Sequence, residues 1–248
     1  MRVVSLCPSI TETLVAIGGR RHLAAVTRFC TRPRSALWGL PRIGGTKNPD
    51  VGRILDLKPD VVFANEEENR VEDFRALEAS GIEVDVSFPK RISDVPSDVR
   101  RWGRRIGSEA EADVLARQIE LAEKDLASPP SRRFHYAYWI WKDPWITVSD
   151  DTYVADLVRL AGGQNVFGSE RDRYPRATLE EARARGAEAH LLSSEPFPFR
   201  EEKHDDLVRK LAGPQARRLY VAGDDYCWHG ARTIEGLKRA ADLRKIFG

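Results

Sequence analysis

Three cysteines and one histidine are the side chains best suited to hold a metal ion. The cysteines are Cys7, Cys30 and Cys227, and His229 lies two residues after the last of them. Each cysteine follows a segment that we predict to be a strand, so the four side chains are candidate ligands for one soft transition metal. The spacing contains no CxxC or HxxxH pair, and free cysteine is often a small buried apolar residue. A metal site and a core role for the cysteines therefore both stay open.

A second possible chemistry is the binding of an organic ligand. Residues that follow the predicted strands combine aromatic rings with charged and hydroxyl groups, which is the usual lining of a small-molecule site. The predicted ligand-binding residues are Pro8, Ser9, Arg28, Phe29, Lys47, Glu66, Trp141, Phe197, Phe199, Tyr226 and Trp228. The aromatic rings of the second half would supply stacking area, and both rings of the loop 195–199 are expected to be exposed. Arg28 and Lys47 would pair with anionic groups, and the helix that starts at Ser9 offers free N–H groups to an anion.

Catalysis has a weaker basis in the sequence. No GxSxG nucleophile elbow is present, and the sequence identifies no partner base for the adjacent Asp224 and Asp225. The acidic run 66–68 precedes a predicted helix, where negative charge in the first turn is favourable without any catalytic role. We predict no catalytic residues and expect a protein that is not an enzyme.

Short strands and helices that alternate along the chain must position these residues. The predicted strands cover residues 3–6, 24–27, 60–64, 82–88, 134–141, 189–193 and 219–222, and residues 146–148 are a candidate for another. The predicted helices cover residues 9–17, 49–57, 71–80, 93–106, 108–127, 152–160, 179–185, 205–211 and 233–247. This alternation indicates an α/β fold with parallel sheets. In such sheets ligands bind beyond the carboxyl ends of the strands, which is where the candidate residues lie.

The longest predicted helix covers residues 108–127. Ser108 and Glu111 form a capping box at its start, and Pro129 and Pro130 end it. An α/β pattern lies on each side of this helix, which favours a strut between two lobes over a surface helix within one domain. We predict an N-terminal α/β lobe at 1–95, a connecting helical segment at 96–127 and a C-terminal α/β lobe at 128–248.

Composition excludes several classes of protein. The 248 residues carry 40 basic and 38 acidic side chains, a formal net charge of +2, which gives no electrostatic basis for binding nucleic acid. No apolar run approaches the roughly 18 residues that a membrane-spanning helix needs. We predict no signal peptide, because Arg2 leads directly into the first predicted strand. We therefore expect a cytoplasmic protein as the sequence is written, or an extracytoplasmic one if the sequence begins at a mature amino terminus.

Stretches spread over nearly the whole chain carry a family resemblance. They are RVVSL and PSITETL within residues 2–14, GG and NPD within 44–50, ILDLKPDVV at 54–62, SGIEV at 80–84, DTY at 151–153, LAGGQNVF at 160–167 and GD at 223–224. With these motifs the chain resembles the substrate-binding proteins of vitamin B12 and iron–siderophore ABC importers, the class III or helical-backbone metal receptor family. The opening motif and the AGGxNVF stretch are the most specific of these matches.

The resemblance implies two α/β lobes with central parallel sheets, joined by one long helix, with a ligand cleft between the lobes. It implies a binding protein for a corrinoid, haem-like or iron-chelate ligand, with no required cofactor. We expect a monomer that does not span a membrane. The resemblance also implies docking on an ABC permease, for which the candidate residues are Glu66, Glu67 or Glu72 in the first half and Glu195 or Glu201 in the second.

Other functions stay open beside this one. The cysteines and the run 226–229 are not features of the vitamin B12-binding members, so a protein that binds or senses metal ions directly through Cys7, Cys30, Cys227 and His229 is the second hypothesis. A cytosolic relative that binds, buffers or senses a related ligand is another. An enzyme on the same scaffold is the third class.

Overall fold

Short apolar runs form the strands of two parallel sheets. The strands are β1 Val3–Ser5, β2 Leu23–Val26, β3 Val61–Asn65, β4 Glu83–Ser87, β5 Phe134–Trp139, β6 Gly163–Asn165, β7 Ala189–Ser193 and β8 Arg217–Val221. In the computed structural model, which describes all residues from 1 to 248, one sheet has the order β2-β1-β3-β4 and the other the order β6-β5-β7-β8. Every pair of neighbouring strands is parallel.

Helices follow the strands, as a parallel sheet requires. They are α1 Pro8–Ala16, α2 Val51–Leu57, α3 Val71–Ala79, α4 Val95–Ile106, α5 Glu109–Asp125, α6 Tyr153–Leu160, α7 Leu179–Ala184, α8 Glu201–Ala212, α9 Gly223–Cys227 and α10 Thr233–Phe247. None of these helices combines the length and the apolar character that crossing a membrane takes. The α/β class and the two parallel sheets predicted from the alternating pattern are thus confirmed.

Two compact units divide the chain. The first contains Met1–Pro89, Ser93–Glu120 and His229–Arg232, and the second contains Lys90–Ile92, Leu121–Trp228 and Thr233–Gly248. The division falls inside α5, between Glu120 and Leu121. The predicted lobe boundaries, 1–95, 96–127 and 128–248, stay a prediction.

Each unit has its own core on its own sheet. In the first, Val4 of β1 and Val62 of β3 pack with Ile54 of α2 and Phe74 of α3. In the second, the core cluster contains Ala137 and Trp139 of β5, Leu192 of β7 and other buried residues of α7 and α8. The inner strands β1, β3, β5 and β7 are mostly buried, because helices cover both sides of a parallel sheet. The edge strands β4, β6 and β8 are partly exposed and carry polar or charged residues.

The start of α1 differs from the sequence prediction. The helix begins at Pro8 with Cys7 as its N-cap, and no side chain caps it. The sequence Ser9-Ile10-Thr11-Glu12 has the pattern of a capping box, and a capping box predicted from it is wrong because both side chains have other partners. Ser9 is buried among polar groups, and Glu12 forms an ion pair with Arg232 at 2.5 Å.

Further differences lie in the second half. Strand β6 was not predicted, and α8 begins at Glu201, ahead of the predicted start at residue 205. Residues 146–148 form no strand, and only Ile146 makes isolated bridges, with Trp141 and Arg176. Helix α9 covers residues 223–227, between the predicted strand 219–222 and the predicted helix 233–247, where no helix was predicted. Pairing with β5 builds β6, although its residues, Gly-Gln-Asn, have no strand pattern of their own.

Candidate functional site

Cys30 belongs to a buried network of polar groups at the carboxyl end of the first sheet. Its Sγ atom lies 3.1 Å from the hydroxyl of Thr11 and 3.1 Å from that of Thr27. Thr11 Oγ1 also lies 2.8 Å from the hydroxyl of Ser5, the last residue of β1. All four side chains are buried, and burial raises the pKa of the Cys30 thiol. Cys30 is therefore a protonated hydrogen-bonding partner within the packed interior.

His229 belongs to a second part of this buried polar network. Its Nδ1 lies 3.4 Å from Ser9 Oγ and its Nε2 lies 3.4 Å from Ser87 Oγ. Ser9 Oγ in turn lies 3.2 Å from Cys7 Sγ, and the ring of Trp102 packs 5.9 Å from the imidazole. His229 is 6% exposed, and burial lowers its pKa to about 4. The neutral imidazole connects the start of α1 to the end of β4.

Two asparagines shape the acidic loop that follows β3. Asn65 Oδ1 accepts the backbone N–H groups of Glu67 and Glu68, at 3.0 and 3.1 Å. Asn69 Oδ1 accepts the Asn65 N–H at 2.9 Å, and its amide donates to the Leu6 carbonyl at 3.2 Å. Both asparagines are buried. Sequence reasoning missed them, although their four-residue spacing around an acidic run is the signal that could have found them.

Four predicted ligand-binding residues of the first unit are exposed. The Phe29 side chain is 48% exposed, and the guanidinium carbon of Arg28 lies 4.9 Å from the centre of the Phe29 ring. Lys47 is exposed and donates from Nζ to the carbonyl of Glu67. Glu66 is exposed on the same acidic loop. This edge therefore presents a flat aromatic–guanidinium pair beside a cation and a carboxylate.

An aromatic cluster lies at the carboxyl end of the second sheet. Trp141 is 39% exposed and packs edge-on against the half-buried Phe197, with ring centres 5.8 Å apart. Phe199 is buried and stacks on Trp145 at 5.5 Å. The expectation that both rings of the loop 195–199 are exposed is wrong for Phe199, because the chain folds back and places that ring in the core.

Residues 226–228 divide between the interior and the surface. Tyr226 is buried 5.9 Å from the ring of Tyr138, and burial raises its pKa. Cys227 is half-buried with Sγ 3.7 Å from the Tyr138 hydroxyl. Trp228 is half-buried and donates from Nε1 to Glu195 at 3.1 Å. Of the three, Trp228 and Cys227 retain accessible side-chain atoms.

A charged group near the start of α6 was missed by sequence reasoning. Lys90 Nζ lies 2.8 Å from Asp151 Oδ2, and Arg173 Nη1 lies 3.8 Å from the same oxygen. The hydrogen bond from Lys90 lowers the pKa of Asp151. These residues are far apart in sequence, so no local pattern indicates that they meet.

The predicted metal ligands are not arranged as a metal-binding site. No group of three or more His, Cys, Asp or Glu side chains is arranged to hold a metal ion. Burial, together with the nearby Glu68 charge, raises the pKa of the Cys7 thiol, which disfavours the thiolate that a metal needs. Cys7, Cys30 and His229 instead contact hydroxyl groups.

The acidic residues predicted to dock on a permease occupy several environments. Glu72 and Glu201 are exposed in the first turns of α3 and α8, and Glu66 is exposed on its loop. Glu67 is half-buried, and Glu195 is half-buried beside Trp228. Glu66, Glu72 and Glu201 are accessible to a partner.

The sequence matches a known family over most of its length. Residues 3–212 match the model of the periplasmic binding proteins. The vitamin B12-binding protein of Yersinia pestis (strain Pestoides F) is 30% identical over 197 residues, which are 77% of this chain and 69% of that protein. The chain belongs to the periplasmic binding protein family, and the resemblance predicted from its motifs is confirmed.

Solved structures have the same fold along the whole chain. The periplasmic vitamin B12 binding protein BtuF of Vibrio cholerae superimposes with a TM-score of 0.84 at 21% identity, covering 99% of this chain and 96% of that one. The apo form of the periplasmic heme-binding protein RhuT from Roseiflexus sp. RS-1 gives a TM-score of 0.83 at 21% identity, covering 98% of both chains. The α/β fold with two parallel sheets is therefore the fold of these binding proteins.

Proposed function

We propose that the protein is a receptor for a metal chelate. A corrinoid is the favoured ligand, and haem or an iron–siderophore is the alternative. The observation that carries this proposal is the accessible aromatic surface at the carboxyl end of each sheet, Phe29 with Arg28 in one unit and Trp141 with Phe197 in the other. Such surfaces suit a large flat ligand with apolar faces and anionic or polar substituents. The vitamin B12-binding relative supports a corrinoid over the other chelates.

The individual residues have separate roles in this proposal. In the first unit, Phe29 stacks on an apolar face of a chelate, while Arg28 and Lys47 pair with its anionic substituents. In the second unit, Trp141 offers a stacking surface of its own. In the first unit, the Asn69 amide donates to the Thr46 carbonyl at 2.9 Å and so holds the segment that presents Lys47. None of these roles involves bond making or breaking, so the proposed protein is not an enzyme and requires no cofactor.

The proposed setting is uptake across a membrane. As a periplasmic binding protein, it would work outside the cytoplasm as a monomer and deliver its ligand to an ABC permease. Glu66, Glu72 and Glu201 are accessible and would pair with basic residues of that partner. Charge reversal at Glu72 and Glu201, which are not among the predicted ligand-binding residues, should abolish co-purification with the permease while leaving ligand affinity unchanged.

Calorimetric titration of the metal-free protein with cyanocobalamin and with haemin tests the proposed contacts. Arg28→Ala and Trp141→Ala should each weaken binding of the favoured chelate about tenfold or more, because each removes a charge-assisted or stacking contact. The control variants are Arg75→Ala on α3, which removes an equal charge, and Leu207→Ala on α8, whose side chain has similar exposure. The controls should bind like the wild type.

The same titration separates the chelate receptor from a direct metal-ion protein. Cys30→Ser and Cys227→Ser should leave chelate affinity unchanged, since neither thiol contacts the ligand in the proposed site. Binding of bare zinc or cobalt ions that these substitutions abolish would support direct metal binding instead. Equal affinities for Arg28→Ala, Trp141→Ala and their controls would refute the proposed contacts.

A further inference from the structure

A cavity lies at the amino end of the second sheet, at the edge opposite to Trp141 and Phe197. Its volume is about 480 Å³, within the range of small-molecule sites. The segments before β5, β7 and β8 line it, together with the ends of α7, α8 and α10. The proposed chelate site uses none of these segments.

The charges around this cavity are unbalanced. Arg132, Arg183 and Arg217 line it, with Glu188 as the one acidic side chain. Glu188 is already engaged, since it forms an ion pair with Arg132 and accepts the backbone N–H of His135 at 3.2 Å. Two guanidinium groups, those of Arg183 and Arg217, are thus left without a carboxylate.

Arg217 is held in place by neutral partners. Its Nη1 donates to the carbonyl of Ile246 at 3.2 Å, and its guanidinium carbon lies 5.1 Å from the centre of the Phe247 ring. Both contacts leave other N–H groups of the fork available, because a guanidinium carries five donors. The guanidinium of Arg217 can therefore bind an anion through its remaining N–H groups while it keeps its present contacts.

Arg183 has neither an ion pair nor a side-chain hydrogen bond, and it lies flat against the backbone at Gly213. A Cβ atom at residue 213 would stand 3.4 Å from both Cδ and Nε of Arg183. The Arg183 side chain therefore lies within van der Waals reach of residue 213 on this wall of the cavity.

The rest of the wall is apolar. Ala187, Ala212 and Ala216 line the cavity beside the ring of Phe247, and all four are buried. A cavity with two available guanidinium groups and an apolar, partly aromatic wall matches a ligand that joins a carboxylate to an apolar body.

Compensation of helix dipoles is the competing explanation for the arginines. Arg183 lies in the last turn of α7, where a cation favourably offsets the carbonyl end of the helix. Arg217 also contacts a helix end, because it donates one N–H group to the Ile246 carbonyl in the last turn of α10. It belongs to β8, however, and this single bond leaves the other donors of its guanidinium without a carboxylate.

We propose that this cavity is a second binding site, which takes a small carboxylate with an apolar or aromatic body between Arg183 and Arg217. The site is independent of chelate binding. Its simplest probe is benzoate, with benzyl alcohol as the neutral analogue and inorganic phosphate as the anion that lacks an apolar body.

Calorimetry and thermal unfolding of the full chain with these three probes test the site. Benzoate should bind with one-to-one stoichiometry and raise Tm, whereas benzyl alcohol and phosphate should bind at least tenfold more weakly. Arg183→Gln and Arg217→Gln should each reduce benzoate affinity about tenfold or more. Arg171→Gln, which removes an equal charge at an exposed position of the same unit, should have no effect.

Two results would overturn the proposal. One is the absence of saturable benzoate binding to the wild-type protein at millimolar concentration. The other is benzoate binding that Arg183→Gln and Arg217→Gln leave unchanged, which would place the ligand elsewhere. A lower Tm of Arg183→Gln without any probe, combined with no benzoate binding to the wild type, would assign the arginine to the helix end alone.

Discussion

His229 shows how one residue can hold a chain segment in place without charge. It is the first residue of the segment His229–Arg232, which belongs to the first unit although the residues on either side of it belong to the second. Its two ring nitrogens face the hydroxyls of Ser9 and Ser87. A protonated imidazole in this buried position would lose much of its hydration, so the neutral form is required.

The lowered pKa of His229 predicts a loss of stability in acid. The unfolded state takes up a proton near pH 6.5 and the folded state only near pH 4, so stability is complete above pH 6.5 and falls as the pH drops towards 4. From pH 8 to pH 5 the wild type should lose about 2 kcal/mol more unfolding free energy than a His229→Asn variant. Urea unfolding at a series of pH values measures this difference.

A second histidine supplies the control for this experiment. His22 is only partly buried and lies outside the His229 network, so His22→Asn controls for the loss of a histidine side chain elsewhere in the same unit. If His229→Asn and the wild type lose equal unfolding free energy between pH 8 and pH 5, the prediction that His229 is buried in its neutral form is wrong.

The single-residue roles were the least predictable from sequence. Cys7 and Cys30 were predicted as metal ligands because each follows a strand, and His229 because it lies two residues after Cys227. Hydroxyl groups of Ser9, Thr11 and Ser87 instead contact these three side chains. Phe199 looked exposed because a proline-rich loop carries it, yet it stacks on Trp145. In each case the deciding partner comes from tertiary structure.

At the scale of elements, the turn Gly230–Arg232 packs on α1. Gly230 has a φ of +87°, and a Cβ atom there would stand 2.0 Å from Thr13 Oγ1. The Thr13 hydroxyl also accepts the backbone N–H of Ala231 at 2.9 Å. Only glycine satisfies both the backbone angle and the close approach.

This packing predicts a large effect of one methyl group. Gly230→Ala should lower the unfolding free energy by about 3 kcal/mol, because a left-handed backbone and a steric clash add together. Gly81→Ala is the matched control: its φ is +79°, and nothing lies within 4 Å of the added carbon, so it should cost about 1 kcal/mol. Denaturant unfolding of both variants measures the two costs, and equal costs would contradict the packing of this turn.

Elements with their own sequence signals were predicted well. The predicted strand at 189–193 and the helix at 233–247 have the observed bounds, and most others differ by one or two residues. Apolar runs bounded by proline or glycine supply these signals. Strand β6 and helix α9 were missed because pairing and packing, not local sequence, form them.

At the scale of the whole molecule, motifs along the chain identified the family and the α/β fold. Both are confirmed by the family match and by the solved structures. The ligand is a harder question, because the family fold supports different chelates and a few accessible side chains select among them. The central claim is therefore that this chain binds a metal chelate as an intact ligand.

Thermal unfolding of the wild-type protein with cyanocobalamin, haemin and zinc ions, each in separate titrations, tests this claim most directly. A ligand that binds only the native state at one hundred times its Kd adds about 2.7 kcal/mol of stability, which raises Tm by about 6 °C for a chain of this size. We predict a saturable rise in Tm of that size with one chelate and none with zinc. Cyanocobalamin is the chelate that we expect to give this rise, and haemin is the alternative. A rise with zinc alone, or no rise with any chelate, would contradict the account.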